Sequence, residues 1–268
     1  MQSKSSWMDL FKALGSEHYD LIEGGEVENF VRERYLSNPA EIERNERLMS
    51  LVPSDVETLL DVGACYGLFL HELLKTREIE VEGVDVSEHR MSWGRARGLK
   101  LSQASAHELP YGDRQFHMVT CAEVLEHLTW GVYEQSLHEL NRVADRWILI
   151  SVPYDEKRGF TRCPYCRASV NPDYHMRSFT PKDLEGLFAD FKLCTVDTIC
   201  QISVATLLKP FVPLPWRQDL VCPVCSYRAA SDKKLRGVSR LNSLKRLLMS
   251  LPLPKRPRWL VGLFERVG

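Results

Sequence analysis

The sequence lacks the long apolar runs that helical membrane proteins need. No apolar stretch among the 268 residues reaches the roughly 18 residues that a membrane-spanning helix requires. Residues 1–20 also lack an apolar centre flanked by basic residues, which is the pattern of a secretory signal. These absences predict a cytoplasmic protein. Hydrophobic residues still make up 44% of the chain, which is enough for one sizeable core with a small appendage.

The chain also has almost no net charge, because opposite charges are concentrated in different parts of it. The formal net charge is −1, yet residues 233–268 contain ten basic residues and one acidic residue, so the other 232 residues carry −10. A basic segment of this kind predicts an anionic partner, such as a membrane surface, a nucleic acid or a phosphorylated substrate.

The most informative stretch is residues 57–69, with the sequence ETLLDVGACYGLF. Its apolar first half predicts a buried strand that ends near Asp61, and residues 68–74 predict the helix that follows. Gly63 and Gly67 lie in the turn between them. Glycine there allows a positive φ and a close approach of ligand to backbone, and the amides of the new helix can donate to a carboxylate or phosphate.

The glycines do not match the G-x-G-x-x-G pattern of dinucleotide-binding folds. The observed pattern, D-x-G-x-x-x-G from Asp61, resembles the first motif of the class I S-adenosylmethionine (SAM) methyltransferases, h-h-D-h-G-x-G-x-G. Cys65 stands where that family has its central glycine, so its side chain should crowd the methionine end of the cofactor. The resemblance implies that Asp61, Gly63, Cys65 and Gly67 form the cofactor turn; the alternative is a glycine turn that binds nothing.

A second strand is predicted at residues 81–87, and it ends in an acid, Asp85, 24 residues after Asp61. A carboxylate at that strand end can accept hydrogen bonds from both ribose hydroxyls. The resemblance implies that Asp85 is the ribose-binding acid and that Val86 lies beside the adenine. The alternative is that Asp85 caps the next helix, a role that Ser87 can fill equally well.

Two further segments resemble cofactor-contacting parts of the same family. Residues 104–110 (ASAHELP) correspond to a segment commonly written G-D-A-x-x-L-P, with Ser105 in place of an adenine-contacting aspartate. The Ser105 hydroxyl can still accept from the adenine amino group, and the Ala106 amide can donate to the ring. Residues 116–121 predict the fourth strand, whose end at Cys121 should line the cofactor pocket.

The remaining periodicity completes an α/β architecture. Residues 146–153 predict a fifth strand, a helix begins at Thr180, and residues 191–198 and 199–208 predict a hairpin. The resemblance covers roughly residues 40–208 and implies a seven-stranded, mostly parallel sheet with helices on both faces. We therefore divide the chain into an N-terminal helical cap (1–52), a SAM-binding core (53–208) with an inserted lobe (154–178), the second half of that lobe (209–232) and a basic amphipathic tail (233–268).

An acidic segment with a histidine follows the fourth strand, at residues 122–128 (AEVLEHL). In a helix, Glu123, Glu126 and His127 would share one face, where they can hold a divalent ion or pair an acid with a histidine base. The segment resembles the E-h-h-E-H of ubiquinone-pathway O-methyltransferases and of small-RNA 2′-O-methyltransferases, in which it implies Mg²⁺ binding. Magnesium ligation, a metal-free catalytic role and a structural role all remain open.

A second histidine, His175, lies in residues 173–180 (DYHMRSFT). This stretch resembles the H-x-R-x-F/Y-T sequence that precedes the next helix in many members of the family. His175 is therefore a candidate for the same pocket, as a further metal ligand, a proton acceptor or a hydrogen-bonding residue of the loop.

The sequence has eight cysteines, and four of them form two C-P-x-C hooks. In a cytoplasmic chain such hooks indicate metal rather than disulfides, and two hooks complete the closed Cys₄ arrangement of structural zinc. Separate thiols or redox pairs are the alternative. The first hook follows the fifth strand, so the lobe should border the substrate entrance. The four predicted zinc ligands are Cys163, Cys166, Cys222 and Cys225.

The tail combines leucines and basic residues. Residues 238–251 place Leu241, Leu244, Leu248 and Leu251 on one helical face, and residues 252–264 mix basic with aromatic and aliphatic side chains. Such a segment suits peripheral contact with the inner face of an anionic membrane. Packing on the body of the protein is the alternative, and RNA contact comes third.

Together these patterns predict a SAM-dependent methyltransferase that methylates a hydroxyl of a small molecule or glycan precursor. An RNA methyltransferase is the second hypothesis, supported by the acidic segment, the lobe and the tail. The third is an inactive, zinc-stabilised binding module, suggested by Cys65, Ser105 and His117 where the family has other residues. The sequence does not indicate an oligomeric state.

Overall fold

A computed structural model of the protein describes residues 26–204, 206–207, 214, 216, 220–227 and 254–268. Its N-terminal part is helical. Helix α1 (Glu26–Val31) leads through a π-helical turn (Arg32–Leu36) to helix α2 (Pro39–Ser50). Asn38 caps α2, since its Oδ1 accepts from Ala40 N at 3.1 Å. The helical cap is confirmed for residues 26–50, and its prediction for residues 1–25 lies outside the described residues.

The strands form a seven-stranded sheet and a small two-stranded one. The large sheet has the spatial order β3-β2-β1-β4-β5-β9-β8; β1 to β5 run parallel, and β9 is antiparallel to both of its neighbours. This confirms the predicted mostly parallel sheet. The strands are β1 (Thr58–Val62), β2 (Glu80–Asp85), β3 (Lys100–Gln103), β4 (Phe116–Ala122), β5 (Ala144–Pro153), β6 (Thr161–Arg162), β7 (Ser169–Val170), β8 (Phe191–Ser203) and β9 (Lys255–Arg266).

Helices cover both faces of the large sheet. One buried cluster packs Leu48 of α2 and leucines of α3 against the sheet, and the other packs Leu140 of α5 and Leu184 of α6. Parallel strands that are buried on both faces explain the nearly continuous apolar runs in the sequence. The helices after α2 are α3 (Leu68–Leu74), α4 (Glu88–Arg95), a 3₁₀ turn (Leu125–His127), α5 (Val132–Val143) and α6 (Pro181–Leu184).

The predicted separation of a basic helical tail from the core is wrong for its last part. Residues 255–266 form β9, which lies inside the sheet between β5 and β8. Residues 259–264 (WLVGLF) are buried, because a strand with neighbours on both sides and helices on both faces needs apolar side chains in both directions. The predicted amphipathic helix at residues 238–251 lies outside the described residues.

The predicted hairpin at residues 191–208 is also wrong. Strand β8 runs without a turn from Phe191 to Ser203, and its partner is β9, from Phe191 opposite Arg266 to Ser203 opposite Lys255. The physical reason lies at the predicted break, where Thr198 and Ile199 are β-branched and no glycine, asparagine or proline is available for a tight turn.

The sheet topology fixes where a site can form. The carboxyl ends of β1, β2, β4 and β5 meet at one edge of the sheet, and β9 begins at that edge because it runs in the opposite direction. Ligands in open α/β sheets bind beyond this edge. Within the described part of the chain, none of the helices combines the length and the apolar character needed to cross a bilayer.

Candidate active site

The turn between β1 and α3 is held in an unusual backbone conformation. Gly63 and Gly67 have φ values of 83° and 76°, and Cys65 between them has 53°. The amide of Gly63 donates to the Val84 carbonyl at 2.8 Å, which ties the turn to β2. A Cβ on Gly63 would lie 2.1 Å from Cγ2 of Val124. Glycine is therefore required at position 63 for both conformation and space.

Asp85 holds this turn from the end of β2. Its Oδ2 accepts from the Cys65 amide at 2.9 Å, and its Oδ1 accepts from the Ser87 amide at 2.9 Å. Each carboxylate oxygen can accept a further bond, so two hydroxyls of a ligand can still be bound. The alternative role of Asp85 as a helix cap falls to Ser87, whose Oγ accepts from the Arg90 amide at 3.3 Å.

Burial raises the pKa of two groups at the turn. Asp61 is buried and accepts a hydrogen bond from the Thr120 hydroxyl at 2.7 Å; burial and the nearby Asp85 raise its pKa to about 6. Burial also raises the pKa of the Cys65 thiol to about 11. The thiol is therefore neutral at pH 7, and it adds bulk rather than charge where the family motif has glycine.

The residues predicted to contact the adenine line a cavity beside the turn, whereas Cys121, predicted to line the cofactor pocket, does not. Val86, Ser105 and Ala106 line it, and the Ser105 hydroxyl lies 2.6 Å from Nδ1 of His107. Cys121 is instead fully buried in the core. Side chains alternate along a strand, and the neighbours of Cys121, Thr120 and Ala122, are the residues of β4 that line the cavity.

One cavity of about 1090 Å³ joins the glycine turn to the acidic segment. Phe30, Arg34 and Tyr35 from the N-terminal helical region line one part of it, as a cap over the cofactor would. His127 and His175 line another part. The volume lies slightly above the range that is usual for sites that hold a small ligand, roughly 300–1,000 Å³.

The acidic segment does not form the predicted helix. Glu123 has a φ of 58° and lies before the short 3₁₀ turn at residues 125–127. Its amide donates to the Ser151 carbonyl at 2.8 Å, and its carboxylate accepts from the Ser151 hydroxyl at 3.0 Å and from Nε1 of Trp259 at 2.8 Å. Glu123 therefore does not share one helical face with Glu126 and His127.

Glu126 is an anomalous buried side chain beside His127. It is fully buried, and within the described part of the chain neither carboxylate oxygen has a hydrogen-bond partner. Nε2 of His127 lies 3.9 Å from one of these oxygens. Burial and the nearby Glu123 raise the pKa of Glu126 well above its ordinary value, whereas burial and the nearby His175 lower the pKa of His127 to about 3. Both shifts favour the uncharged form of the side chain.

His175 completes this cluster from the loop before α6. Its ring centroid lies 4.7 Å from that of His127, nearly perpendicular to it. Nδ1 of His175 is hydrogen-bonded to the Glu156 carboxylate, and its amide donates to Oδ1 of Asn171 at 2.9 Å. One ligand atom each from Glu126, His127 and His175 lies within 4.8 Å of the others. The structure thus places His175, rather than Glu123, with the two predicted residues.

The four cysteines of the two hooks come together, as predicted. Sγ of Cys163 lies 3.7 Å from Sγ of Cys225, and Sγ of Cys166 lies 3.6 Å from Sγ of Cys222. A tetrahedral site with Zn–S bonds of about 2.3 Å has sulfur atoms about 3.8 Å apart. The spacing therefore fits one zinc ion shared by both hooks.

The lobe around these cysteines is connected to the cavity. Trp216 and Leu220 are buried against the hooks, and the Tyr174 hydroxyl bridges to the Val221 carbonyl at 2.8 Å. Tyr174 precedes His175, and Pro172, Asp173 and Pro223 of the lobe line the cavity. The lobe therefore borders the part of the cavity that contains the imidazoles.

Sequence reasoning missed several residues of the site, namely Arg44, Ser151, Glu156, Asn171 and Trp259. Only Trp259 left a signal, because an aromatic residue beginning a six-residue apolar run is typical of a buried strand. The others depend on contacts between residues far apart in the chain, such as Ser151 with Glu123.

Comparisons with known proteins agree with this fold. Residues 59–146 match a family model described as a methyltransferase domain. No curated protein sequence matches the chain significantly.

Several solved structures share the fold at low sequence identity. A Burkholderia thailandensis 1,6-didemethyltoxoflavin N1-methyltransferase with bound 1,6-didemethyltoxoflavin and S-adenosylhomocysteine has a TM-score of 0.60 and 14% identity, and the match covers 100% of this chain and 92% of that one. The [4+2]-cyclase SpnF has a TM-score of 0.59 at 15% identity, with 96% and 97% covered. A SAM-dependent methyltransferase from Archaeoglobus fulgidus has 0.53 at 16% identity, with 88% and 98% covered. At these identities the likeness shows the fold alone.

Proposed function

We propose that the protein is a SAM-dependent methyltransferase that methylates a hydroxyl of a small molecule or glycan precursor. The match of residues 59–146 to a methyltransferase domain supports the type of reaction. The observation that carries this proposal is one continuous cavity. It joins the glycine turn and Asp85, which suit the cofactor, to His127 and His175, which suit an acceptor hydroxyl.

The residues at the cofactor end fit SAM. Gly63 and Cys65 of the turn line the cavity, so a ligand can approach the backbone of the turn there, and the buried Asp85 keeps acceptor capacity for two ribose hydroxyls. Val86, Ser105 and Ala106 line the wall where the adenine would lie. When bound there, SAM supplies an electrophilic methyl group on its sulfonium sulfur.

The acceptor hydroxyl must lose a proton during methyl transfer. An alcohol has a pKa far above neutrality, so a nearby base or cation is needed. His175 suits the role of base because the Glu156 carboxylate fixes its ring through Nδ1 and can stabilise the imidazolium that forms. His127 packs against the His175 ring. In this arrangement His127 positions His175, and the lowered pKa of His127 disfavours it as a proton acceptor.

A divalent ion is the alternative to a histidine base. The predicted Mg²⁺ set had two carboxylates and one imidazole, but the cluster formed by Glu126, His127 and His175 has one carboxylate and two imidazoles. Nitrogen ligands suit Mn²⁺, Fe²⁺ or Zn²⁺ better than Mg²⁺. The unpartnered carboxylate of Glu126 fits a cation, which would favour its deprotonated form.

We also propose that the four hook cysteines hold a structural zinc ion. Four thiolates leave no open coordination position, so this zinc would not take part in the reaction. Its role would be to fix the loop that carries Tyr174 and His175 beside the cavity.

Methyl transfer from tritium-labelled SAM to separate pools of hydroxylated small molecules, glycan precursors and RNA tests the proposal. We expect label in the first or second pool, a loss of about 10²- to 10⁴-fold in His175→Ala, and little change in His138→Ala, a control histidine whose side chain is 77% exposed. Label in RNA alone would favour the second hypothesis. Absence of transfer to any pool, with SAM still bound, would favour the binding module.

Chelation separates the two ways of activating the hydroxyl. If a histidine base acts alone, EDTA leaves the rate unchanged and Glu126→Gln has a small effect. If a metal ion acts, EDTA abolishes the rate, Mn²⁺ or Mg²⁺ restores it, and Glu126→Gln is as damaging as His175→Ala. Full turnover in His127→Ala, His175→Ala and Glu126→Gln would show that this cluster is structural.

A further inference from the structure

Strand β9 brings arginines to the wall of the cavity. Because β9 is antiparallel to β5, its first residues lie at the edge of the sheet where the parallel strands end. Arg256 and Arg258, from this start of β9, and Arg44, from α2, all line the cavity. None of the three belongs to the part of the chain that resembles a cofactor motif.

Trp259 lies between two of these guanidinium groups. Cζ of Arg258 is 3.9 Å from the centroid of the Trp259 ring, and Cζ of Arg44 is 4.9 Å from it. The indole Nε1 donates to Glu123 at 2.8 Å. Stacking on an aromatic face fixes the plane of a guanidinium and leaves its N–H edge available.

The two arginines share one close carboxylate. Nη2 of Arg44 lies 2.9 Å from Oε2 of Glu41, but the nearest carboxylate oxygen to Arg258, Oε1 of Glu41, is 3.7 Å away, which is too far for a hydrogen bond. Glu123 is 4.0 Å from Arg44, and its carboxylate accepts from the Ser151 hydroxyl and from Nε1 of Trp259. Among the described residues, no carboxylate therefore lies within hydrogen-bond distance of the Arg258 guanidinium.

The adjacent Arg256 adds a third positive charge. Its Nη2 donates to the carbonyls of Tyr154 and Asp155 at 2.7 and 2.8 Å, and the nearest carboxylate among the described residues, that of Asp155, is 3.9 Å away and also pairs with Lys157. Carbonyl groups satisfy the donors of Arg256 without neutralising its charge. The three arginines therefore face two carboxylates, Glu41 and Glu123, and they line the same cavity as His127 and His175.

We propose that Arg258, with Arg44 beside it, binds an acidic group of the methyl acceptor, either a carboxylate or a phosphate. The inference rests on the proposed function and narrows the acceptor to anionic molecules. A planar guanidinium binds both groups through two parallel hydrogen bonds, and the partly buried position of Arg258, whose side chain is 33% exposed, strengthens them. Trp259 then connects this subsite to Glu123 and so to the loop that carries His127.

A titration with simple anions tests the subsite directly. Inorganic phosphate and acetate are added separately to the full-length protein, with and without saturating S-adenosylhomocysteine, and the arginine Nε–Hε resonances are followed by nuclear magnetic resonance at constant ionic strength in chloride. The Arg258 resonance is identified by its loss in Arg258→Gln. Arg146 is the matched control, since it also lies over a tryptophan, at 5.2 Å from Trp147, but its side chain is 52% exposed.

We expect a saturable shift of the Arg258 resonance with at least one of the two anions and none at Arg146. Arg258→Gln should lower the affinity for that anion by about tenfold or more, because a charge-assisted bidentate contact is lost. It should change the affinity for S-adenosylhomocysteine by less than about twofold. Arg258→Lys keeps the charge and should retain part of the response, which separates loss of the contact from loss of the fold.

The inference is overturned if neither anion shifts the Arg258 resonance. It is also overturned if the affinity for the anion is unchanged in Arg258→Gln, as read from the indole Nε1–Hε1 resonance of Trp259, which this variant retains and which lies beside Arg258. A third contradicting result is a lower affinity of Arg258→Gln for S-adenosylhomocysteine, because the arginine would then bind the carboxylate of the cofactor. If the wild-type protein does not bind S-adenosylhomocysteine at all, the proposed function fails, and the titration without it still decides whether the anion subsite exists.

Discussion

The two ends of the cavity are built in different ways. The cofactor end comes from a short piece of chain, in which the turn at Gly63 is bonded to β2 and to Asp85 at the end of that strand. The acceptor end combines α2, the loops after β4 and β5, the cysteine lobe and β9. Arg44 therefore lies over the Trp259 ring, although the two residues are near opposite ends of the sequence. A local strand–turn–strand unit can specify a site for a common cofactor, whereas the acceptor site depends on the whole fold.

The two ends also differ in how their buried charges are satisfied. Asp85 accepts two backbone hydrogen bonds at the cofactor end. At the acceptor end, the described residues offer Glu126 no hydrogen-bond partner and offer Arg258 no carboxylate within hydrogen-bond distance. A buried polar group without a partner costs roughly 1–3 kcal/mol or more, and a bound ligand or ion can remove that cost. The cofactor end is preorganised, while the acceptor end is completed by what it binds.

The largest expected effect comes from breaking the acceptor end at the lobe. Cys222→Ser should remove the proposed zinc, whose binding in zinc-finger peptides is worth about 10–16 kcal/mol, and should destabilise the lobe by several kcal/mol. Elemental analysis and hydrogen exchange of residues 161–175 measure both effects. Cys194→Ser, at an exposed cysteine outside the hooks, is the control. A wild-type protein without zinc, prepared under reducing conditions free of chelators, would contradict the assignment.

The second largest effect is expected from a substitution in the turn at the cofactor end. Gly63→Ala places a Cβ 2.1 Å from Val124 at a φ of 83°, so we expect a loss of about 2–5 kcal/mol from overpacking and left-handed strain. Affinity for S-adenosylhomocysteine should fall by at least about tenfold, or 1.4 kcal/mol. Gly98→Ala has the same φ of 83° with no atom within 4 Å of its Cβ, and should lose only about 1–2 kcal/mol. Equal losses of stability and affinity in the two variants would show that the turn is not a special site.

A smaller effect concerns pH and the buried acid of the cofactor end. Burial raises the pKa of Asp61 from 3.8 to about 6, so the folded state binds the proton more tightly than the unfolded state. The resulting stability, up to about 3 kcal/mol, is present below pH 4 and is lost as the pH rises through 6. Asp61→Asn should remove this contribution and keep an acceptor for Thr120. Urea unfolding of both proteins at pH 4.5 and 7 measures it, and equal pH dependence in the two would contradict the raised pKa.

Much of the cofactor end could be predicted from the sequence. The D-x-G-x-x-x-G spacing and the acid at the end of β2 are local, and the alternation of strands and helices predicts a mostly parallel sheet. The seven-stranded sheet itself was implied by the resemblance. The two cysteine hooks were also predictable, because a pair of thiols two residues apart carries its ligand geometry within a few residues. In each of these cases, residues close in sequence determine the structure.

The acceptor end could be predicted only in part. His127 and His175 were identified as candidates, but the helical spacing of Glu123, Glu126 and His127 gave the wrong partner set, because Glu123 adopts a positive φ and bonds to Ser151 and Trp259. The contact with Trp259 requires β9. By composition alone, the basic and apolar residues of β9 resemble a segment that lies on a membrane surface. Long-range pairing of strands decides their structure, and no local pattern encodes it.

The central claim is that the preorganised end of the cavity binds SAM with its ribose at Asp85. Calorimetric titration of S-adenosylhomocysteine into the wild-type protein, Asp85→Ala and Asp113→Ala, an exposed aspartate outside the cavity, tests it most directly. The account predicts binding to the wild type and to Asp113→Ala with similar affinity, and a loss of at least about tenfold in Asp85→Ala, which forfeits hydrogen bonds to a charged acceptor worth about 1.5–3 kcal/mol each. Thermal unfolding should confirm that Asp85→Ala is folded. Unchanged affinity in folded Asp85→Ala, or no binding to the wild type, would contradict it.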